Sequence, residues 1–250
     1  MSDNQAIPST QSTGSTDMNP TPSSPEAKNK TVSSDELPST KSLQKSQEYT
    51  VLDKKGEAHT FKSLYDGLES TRVLIIFIRH FFCGSCQEFI SALSQAITPS
   101  DLQNFTSPPS IIIIGCGDPG LIDFYATETK CPYPIYADPE RKLYKEFGLV
   151  SNYGMGARPE YFSRSMPLLI AESMIQTLKH FGSGLMMKGG ESSQNGGEFI
   201  FEGVPGSGEE KSLSWCHRMT NTRDHLGMEE LKQVLDPEGQ VWKSAVSYVG

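Results

Sequence analysis

Two cysteines separated by two residues, Cys83 and Cys86, are the side chains of this sequence best suited to chemistry. They lie where an apolar run, Val73 to Ile78, ends and a helix-like run, Gln87 to Ile97, begins. Residues three apart on a first helical turn share a face, so a disulfide between them can open and close with little backbone movement. Unpaired N–H groups and the positive dipole end at a helix start also favour thiolate over thiol. The spacing predicts a dithiol redox pair.

The neighbouring side chains suggest roles around this pair. Cys83 is nearer the helix start, so we expect it to attack a disulfide or peroxide and Cys86 to resolve the intermediate, with the reverse order left open. Arg79 and His80 at the strand end either stabilise a thiolate or form a solvated strand terminus. Glu88 is a candidate proton acceptor, although an exposed helix glutamate is the favoured interpretation.

The other cysteines are expected to be structural. Cys116 follows a second apolar strand and is either an alternative resolving thiol or, as we favour, a buried small hydrophobe. Cys131 and Cys216 are expected to have structural rather than chemical roles. The cysteine pair could bind zinc together with Cys216 and His217, but it joins a strand to a helix rather than forming a knuckle, so no metal is expected.

Composition excludes several classes of function. The chain has 250 residues and a formal net charge of -8, which argues against a nucleic-acid or anionic-membrane partner. Five scattered cysteines do not resemble a secreted disulfide framework. No apolar stretch reaches the roughly 20 residues of a membrane span, and the N-terminus shows no targeting pattern. We expect a protein without a membrane span, in the cytoplasm or the nucleus.

The chain divides into segments of different composition. Residues 1–46 are rich in Ser, Thr and Pro without aromatic residues, which predicts a disordered tail. Residues 47–237 carry the periodic patterns of one folded domain. Within it, residues 149–193 are irregular and Met-rich, and we interpret them as an insertion with one helix, Pro167 to Lys179. Residues 238–250 form a C-terminal tail.

The domain alternates strand-like and helix-like patterns. Strands are expected in a hairpin over residues 49–61, in two central apolar runs at 72–78 and 111–114, at 134–136, and in an antiparallel pair at 198–201 and 213–217. Helices are expected over 87–97, 121–128, near 143–147 and over 228–235. Strands alternating with helices predict an α/β fold with a central mixed sheet flanked by helices.

Four blocks of residues in this order resemble AhpC/TSA-type antioxidant-domain proteins, the peroxiredoxin-like branch of the thioredoxin-like superfamily. The blocks are Arg79 to Cys86; Tyr136 to Pro139 with Lys142 to Tyr144; Gly196 to Phe199; and His217-Arg218 with Asp224-His225. The resemblance covers about Tyr49 to Leu235. It implies a thioredoxin-like fold and a thiol-dependent oxidoreductase that binds no cofactor and is reduced by an external thiol system of the thioredoxin or glutathione type, linked to NADPH.

The sequence also departs from the patterns of these families. Peroxiredoxins carry Pro seven residues and Thr or Ser three residues before the peroxidatic cysteine; counted from Cys86, these places hold Arg79 and Cys83. Cys86 matches the peroxidatic position, which keeps the reversed roles open. Thioredoxins have a buried Asp where this chain has Phe77, and a cis-Pro where it has the Asn195-Gly196-Gly197 turn.

Two classes of function follow. The first is an enzyme that reduces peroxides or disulfides or, as in some relatives of this branch, lipid endoperoxides. The second is a noncatalytic interaction module whose dithiol senses redox state. Retention of both thiols favours the enzyme, because a scaffold has no chemical need for the pair.

Overall fold

Seven strands form one mixed sheet at the centre of the protein. The computed structural model describes residues 34–66, 68–162, 175, 188–204, 210–239 and 241–242. The strands are Thr50–Leu52 (β1), Ala58–Thr60 (β2), Arg72–Phe77 (β3), Ser110–Gly115 (β4), Ile135–Ala137 (β5), Gly197–Glu202 (β6) and Ser212–Arg218 (β7). Their order across the sheet is β2-β1-β5-β4-β3-β6-β7. The strands β3, β4 and β5 are parallel, and the remaining pairs are antiparallel.

Helices cover both faces of this sheet. They are Thr40–Gln47 (α1), Phe61–Tyr65 (α2), Gly84–Ala96 (α3), Pro99–Leu102 (α4), Ile122–Thr129 (α5), Lys142–Glu146 (α6) and Met228–Leu235 (α7), with a 3-10 turn at Pro119–Leu121. The predicted thioredoxin-like architecture, a central mixed sheet between helices, is confirmed. No described helix is both long and apolar enough to cross a membrane.

The central strand β3 explains why helices occupy both faces. Alternate residues of a strand point to opposite faces, and both sets in β3 are apolar. Leu74 and Ile76 pack with side chains of α3, α5 and α7, whereas Ile75 and Phe77 pack with those of α2 and α6. All four side chains are fully buried. Strand β3 therefore anchors the residues that follow it, including the cysteine turn, in the middle of the molecule.

Part of the segment predicted to be a disordered tail forms a helix. Residues 1–33 lie outside the described residues, but residues 40–46 of the predicted tail belong to helix α1, so the prediction is wrong for them. The hydroxyl of Ser39 accepts a hydrogen bond from the Ser42 amide at 3.1 Å and caps this helix. Leu43 packs against the core, and Lys45 forms a salt bridge with Glu146. The polar composition of the tail concealed this short docking helix.

The predicted insertion is described only in part. The predicted helix from Pro167 to Lys179 lies outside the described residues except for Ile175. In the described portion, Ser151 and Gln194 form an isolated antiparallel bridge that brings the two ends of the insertion together. The segment 188–194 then leads directly into β6. This places the end of the insertion beside the carboxyl end of β3, where the cysteines lie.

Candidate active site

The turn between β3 and α3 holds the cysteine pair. Cys83 is the N-cap of α3, with extended backbone angles (φ -75°, ψ 106°), and its sulfur accepts a hydrogen bond from the Cys86 amide at 3.4 Å. The Cys86 sulfur accepts one from the Arg79 amide at 3.3 Å. Both thiols are free. Cys83 is 4% exposed and Cys86 is fully buried. Cys83 is thus the more exposed residue of the pair.

Arg79 connects the cysteine turn to the end of the insertion. Its Nη1 lies 3.3 Å from the Cys83 sulfur, while Nε and Nη2 donate to the carbonyl oxygens of Gln194 (3.0 Å) and Ser192 (2.6 Å). The side chain is buried, so a solvated strand terminus does not describe it. Its planar guanidinium therefore donates hydrogen bonds to two carbonyl oxygens and one sulfur in a fixed geometry.

The two thiols have opposite acidities. A hydrogen bond from the Cys86 thiol is the largest cause that holds the pKa of Cys83 well below its ordinary value, helped by the charges of Arg79 and His80 and opposed by burial. Burial is the largest cause that raises the pKa of Cys86 well above its ordinary value, and the hydrogen bond to Cys83 adds to it. The arrangement supports a thiolate at Cys83 and a neutral thiol at Cys86.

The other two candidate residues, His80 and Glu88, differ in their burial and in their contacts. His80 is half-buried; burial lowers the pKa of its imidazole, and its carbonyl oxygen accepts a hydrogen bond from the Cys83 amide at 3.0 Å. Glu88 is only 2% exposed, so the interpretation as an exposed helix glutamate is wrong. It lines a surface cavity of about 250 Å³ with Lys130 and Tyr161.

Cys116 has a buried thiol with a hydrogen-bond partner of its own. Its thiol donates to the carbonyl oxygen of Arg79 at 2.9 Å, and burial raises its pKa to about 12. Cys216 belongs to the apolar cluster on the sheet face opposite the cysteine pair, so the four residues considered for zinc do not come together. Among the described residues, the only close group of three or more His, Cys, Asp or Glu side chains comprises Asp53, Glu57 and His59 in the β1–β2 hairpin.

The end of the insertion covers the cysteine turn. The Gly189 carbonyl oxygen accepts a hydrogen bond from the Phe81 amide at 3.0 Å, and the Lys188 carbonyl oxygen accepts one from Asp118 at 2.8 Å. A Cβ atom at Gly189 would overlap with the ring of Phe82, which shows how closely the two segments approach. Access to Cys83 is therefore restricted by residues 188–194 as well as by the turn itself.

Sequence reasoning missed a second buried polar group, formed by Glu198 of β6 and His225. The His225 Nδ1 lies 2.5 Å from a carboxylate oxygen of Glu198, and both side chains have no exposure to solvent. A signal was present in the sequence, because Glu198 interrupts an otherwise apolar strand. The pairing itself joins residues 27 positions apart and leaves no local pattern.

Comparison with known proteins identifies the family. The sequence profile described as AhpC/TSA antioxidant enzyme matches residues 92–221, a span that begins within α3 after both cysteines. A peroxiredoxin-like 2C protein of Takifugu rubripes is 30% identical over 195 residues, which is 77% of this chain and 80% of that protein. The human protein of the same description is 26% identical over 189 residues, or 75% and 77% of the two chains.

A crystal structure of a peroxiredoxin-like protein from Aquifex aeolicus matches with a TM-score of 0.46 and 10% identity, covering 75% of this chain and 81% of that one. The classification follows from the profile and the sequence relatives. The chain belongs to the AhpC/TSA antioxidant enzyme family, the peroxiredoxin-like group of thioredoxin-fold proteins, whose function is thiol-dependent redox chemistry.

Proposed function

We propose that this protein is a thiol oxidoreductase that reduces peroxides or disulfides with Cys83 as nucleophile and Cys86 as resolving thiol. One observation carries the proposal: the Cys83 sulfur lies 3.3 Å from the Arg79 guanidinium and 3.4 Å from the Cys86 amide. A cation and a helix N-terminal amide directed at one sulfur stabilise negative charge on it. The thiolate is the reactive form in both substitution on peroxide and thiol–disulfide exchange.

The reaction with a hydroperoxide proceeds in two substitutions. The Cys83 thiolate attacks one oxygen of ROOH, the O–O bond breaks, and the departing alkoxide takes a proton to leave ROH and Cys83 sulfenic acid. The Cys86 sulfur then attacks the Cys83 sulfur, and hydroxide leaves as water with the Cys86 proton. The product is the Cys83–Cys86 disulfide; the two cysteines have been oxidised by two electrons, and the peroxide has been reduced by two.

An external thiol reductant closes the cycle. Its thiolate attacks the Cys83 sulfur, because Cys83 is the more exposed residue of the pair, and a second thiol of the reductant then attacks the mixed disulfide and releases both cysteines in reduced form. We assign this role to a thioredoxin- or glutathione-type system coupled to NADPH, in the reducing cytoplasm or nucleus, with no bound cofactor or metal. Arg79 positions the Cys83 thiolate and supplies the positive charge beside it.

Trapping of sulfenic acid in single variants tests the assignment of roles. We expect a dimedone-type reagent to label Cys83 in the Cys86→Ser variant after one equivalent of peroxide, because the sulfenic acid can no longer be resolved. The Cys83→Ser variant should show no label on Cys86. Cys131→Ser is the matched control, because burial raises the pKa of that thiol to about 11 and the substitution should change nothing. Labelling of Cys86 in the Cys83→Ser variant would reverse the roles.

A turnover assay separates the enzyme from a noncatalytic redox sensor. We expect NADPH-coupled consumption of hydrogen peroxide, an alkyl hydroperoxide or a small disulfide, with complete loss in Cys83→Ser. The same assay with a lipid endoperoxide distinguishes the endoperoxide reductase considered above. A disulfide that forms and is reduced without turnover of any of these substrates would support the sensor and refute the enzyme.

A further inference from the structure

The buried pair formed by Glu198 and His225 lies within the apolar core, on the sheet face that packs against α3. Glu198 lies opposite Ile76 of the central strand, and its side chain shares the sheet face with α3. The ring of His225 stacks on Phe89 of α3, with ring centroids 4.1 Å apart and planes within 4°. Burial of an ionisable pair is expensive, and apolar side chains of the same volume often stabilise a core as well or better.

Each side chain of this pair has one polar atom without a hydrogen-bond partner among the described residues. The Glu198 Oε2 and the His225 Nε2 have no hydrogen-bond partner in the described part of the chain, and neither does the nearby Tyr161 hydroxyl. An unsatisfied buried polar atom destabilises the folded state, because it has lost its hydrogen bonds to water. Three such atoms in one region are polar groups available to bind water or to exchange a proton.

The same region adjoins the cysteine pair. Phe89 follows Cys86 by three residues on α3, so the two side chains occupy one face of the helix. The ring of Tyr161 contacts Phe89 with centroids 5.5 Å apart. Burial is the main cause that raises the pKa of the Tyr161 hydroxyl, and the charges of Cys86, Glu198 and Cys83 add to it. The tyrosine is thus within electrostatic reach of both thiols and of the carboxyl group.

The surroundings of Glu198 set the number of protons that the pair holds. Burial raises the pKa of Glu198 to about 8; Asp224 and Glu230 raise it further, and His217 together with the Leu226 amide opposes the shift. Burial also lowers the pKa of His225 to about 3, with the charge of Cys83 acting in the opposite direction. At neutral pH the pair is therefore uncharged and retains a proton that it can release just above neutrality.

We propose that the Glu198–His225 pair is the proton donor of the cysteine pair, giving a proton to the Cys86 sulfur when an external thiolate opens the disulfide. The inference rests on the proposed function. When an external thiolate attacks Cys83, the S–S bond breaks and its electron pair moves to the Cys86 sulfur. Cys86 is fully buried, so its sulfur is a poor leaving group as a thiolate and a better one when it receives a proton as the S–S bond breaks. The second thiol proton of the reductant finally replenishes the pair through solvent.

The rate of disulfide opening as a function of pH tests this role. The protein is oxidised with one equivalent of hydrogen peroxide and then reduced by dithiothreitol between pH 6 and 9.5, with free cysteines alkylated in acid-quenched samples and counted by mass. The rate constant is divided by the concentration of dithiothreitol thiolate. Because burial raises the pKa of Glu198 to about 8, we expect this normalised constant to fall about tenfold between pH 7 and pH 9 in the wild type.

Replacement of Glu198 should remove the pH dependence of disulfide reduction. Glu198→Gln keeps the size and a hydrogen bond to His225 but has no acidic proton, so reduction at pH 7 should slow on the order of 10²-fold and become independent of pH. Glu202→Gln is the matched control, because it makes the same change at the far end of β6, in the ion pair with Arg72, and should behave as wild type. Wild-type rate and pH dependence in Glu198→Gln would overturn the proposal.

A measurement on the unsubstituted protein covers the case in which Glu198→Gln does not fold. The infrared difference spectrum of the oxidised protein between pH 7 and pH 9.5 should contain the carbonyl stretch of a protonated carboxyl group, because burial raises the pKa of Glu198 to about 8 and the group loses its proton over this range. A spectrum without that band would refute the transfer while leaving the redox chemistry intact. Failure of peroxide to form the Cys83–Cys86 disulfide at all would refute both this inference and the proposed function.

Discussion

Replacement of Arg79 by glutamine tests the central electrostatic contact of the site. The substitution removes the cation 3.3 Å from the Cys83 sulfur and leaves the Cys86 amide as the remaining backbone donor. A hydrogen bond to a charged group contributes about 1.5–3 kcal/mol, so its loss should decrease the thiolate population roughly 10- to 100-fold at a pH below the thiol pKa. The pKa of Cys83 should rise because the thiolate is no longer stabilised.

The reaction rate should change less than the thiolate population. A thiolate of higher pKa is intrinsically more nucleophilic, with a Brønsted coefficient of about 0.4–0.5, which recovers about half of the loss on a logarithmic scale. We therefore expect Arg79→Gln to react with iodoacetamide or hydrogen peroxide roughly 3- to 10-fold more slowly at fixed low pH. Arg79→Lys retains the charge but not the planar fork, so its rate should be intermediate.

Ultraviolet thiolate absorbance provides the direct measurement. The pKa values of Cys116 and Cys131 are raised to about 12 and about 11, and burial also raises those of Cys86 and Cys216, so absorbance that develops below pH 9 reports Cys83. Arg72→Gln is the control for the change in net charge, because Arg72 lies seven residues away at the other end of β3, roughly 20 Å distant and beyond the Debye length. Coincident titration curves for Arg79→Gln and wild type would refute the assigned role of the guanidinium.

Three further predictions concern stability and the remaining thiols. Folded Glu198 keeps its proton up to about pH 8 and unfolded Glu198 loses it near 4.5, whereas His225 gains its proton near 3 when folded and near 6.5 when unfolded. Between pH 4.5 and 6.5 the two effects on the free energy of unfolding cancel. From pH 6.5 to 8 only the glutamate contributes, so the free energy of urea unfolding should decrease by on the order of 2 kcal/mol over this range, and this decrease should be absent in Glu198→Gln. Cys116→Ala should leave the rate of peroxide reduction within twofold of wild type, since its thiol is protonated at pH 7, and a loss of activity would make it a resolving cysteine. Gly196→Ala should destabilise the fold by roughly 1–3 kcal/mol, because a Cβ there meets the backbone of β3, while Gly227→Ala meets only a flexible side chain and should be nearly neutral in thermal unfolding.

Local patterns were sufficient for most of the sheet. The apolar runs within 72–78 and 111–114 became β3 and β4 because continuous β-branched and aromatic residues suit strands buried on both faces. The helix expected over 228–235 has the bounds of α7, since its periodicity and its first-turn acids are local signals. Helix α1 was missed because its stability depends on docking against a distant surface rather than on its own sequence.

The candidate site was predictable only where its contacts are local. The cysteine pair is three residues apart, so its geometry follows from one helical turn. Arg79, by contrast, binds the carbonyl oxygen of Gln194, which is 115 residues away, and Glu198 meets His225 across the fold. Such contacts depend on the completed topology of the sheet, and a sequence pattern limited to neighbouring residues does not contain them.

The position of Cys83 as the N-cap of α3 also has a thermodynamic consequence. The sulfur can accept charge-assisted hydrogen bonds from Arg79 and from the Cys86 amide only while it is reduced, because a disulfide sulfur carries no charge. Whatever stabilises the thiolate therefore stabilises the reduced protein relative to the oxidised one. A contribution of about 1.5–3 kcal/mol corresponds to roughly 30–60 mV in the reduction potential of a two-electron couple. Arg79 would thus make the pair a stronger oxidant, and it would influence the direction of electron flow as well as the speed of reaction.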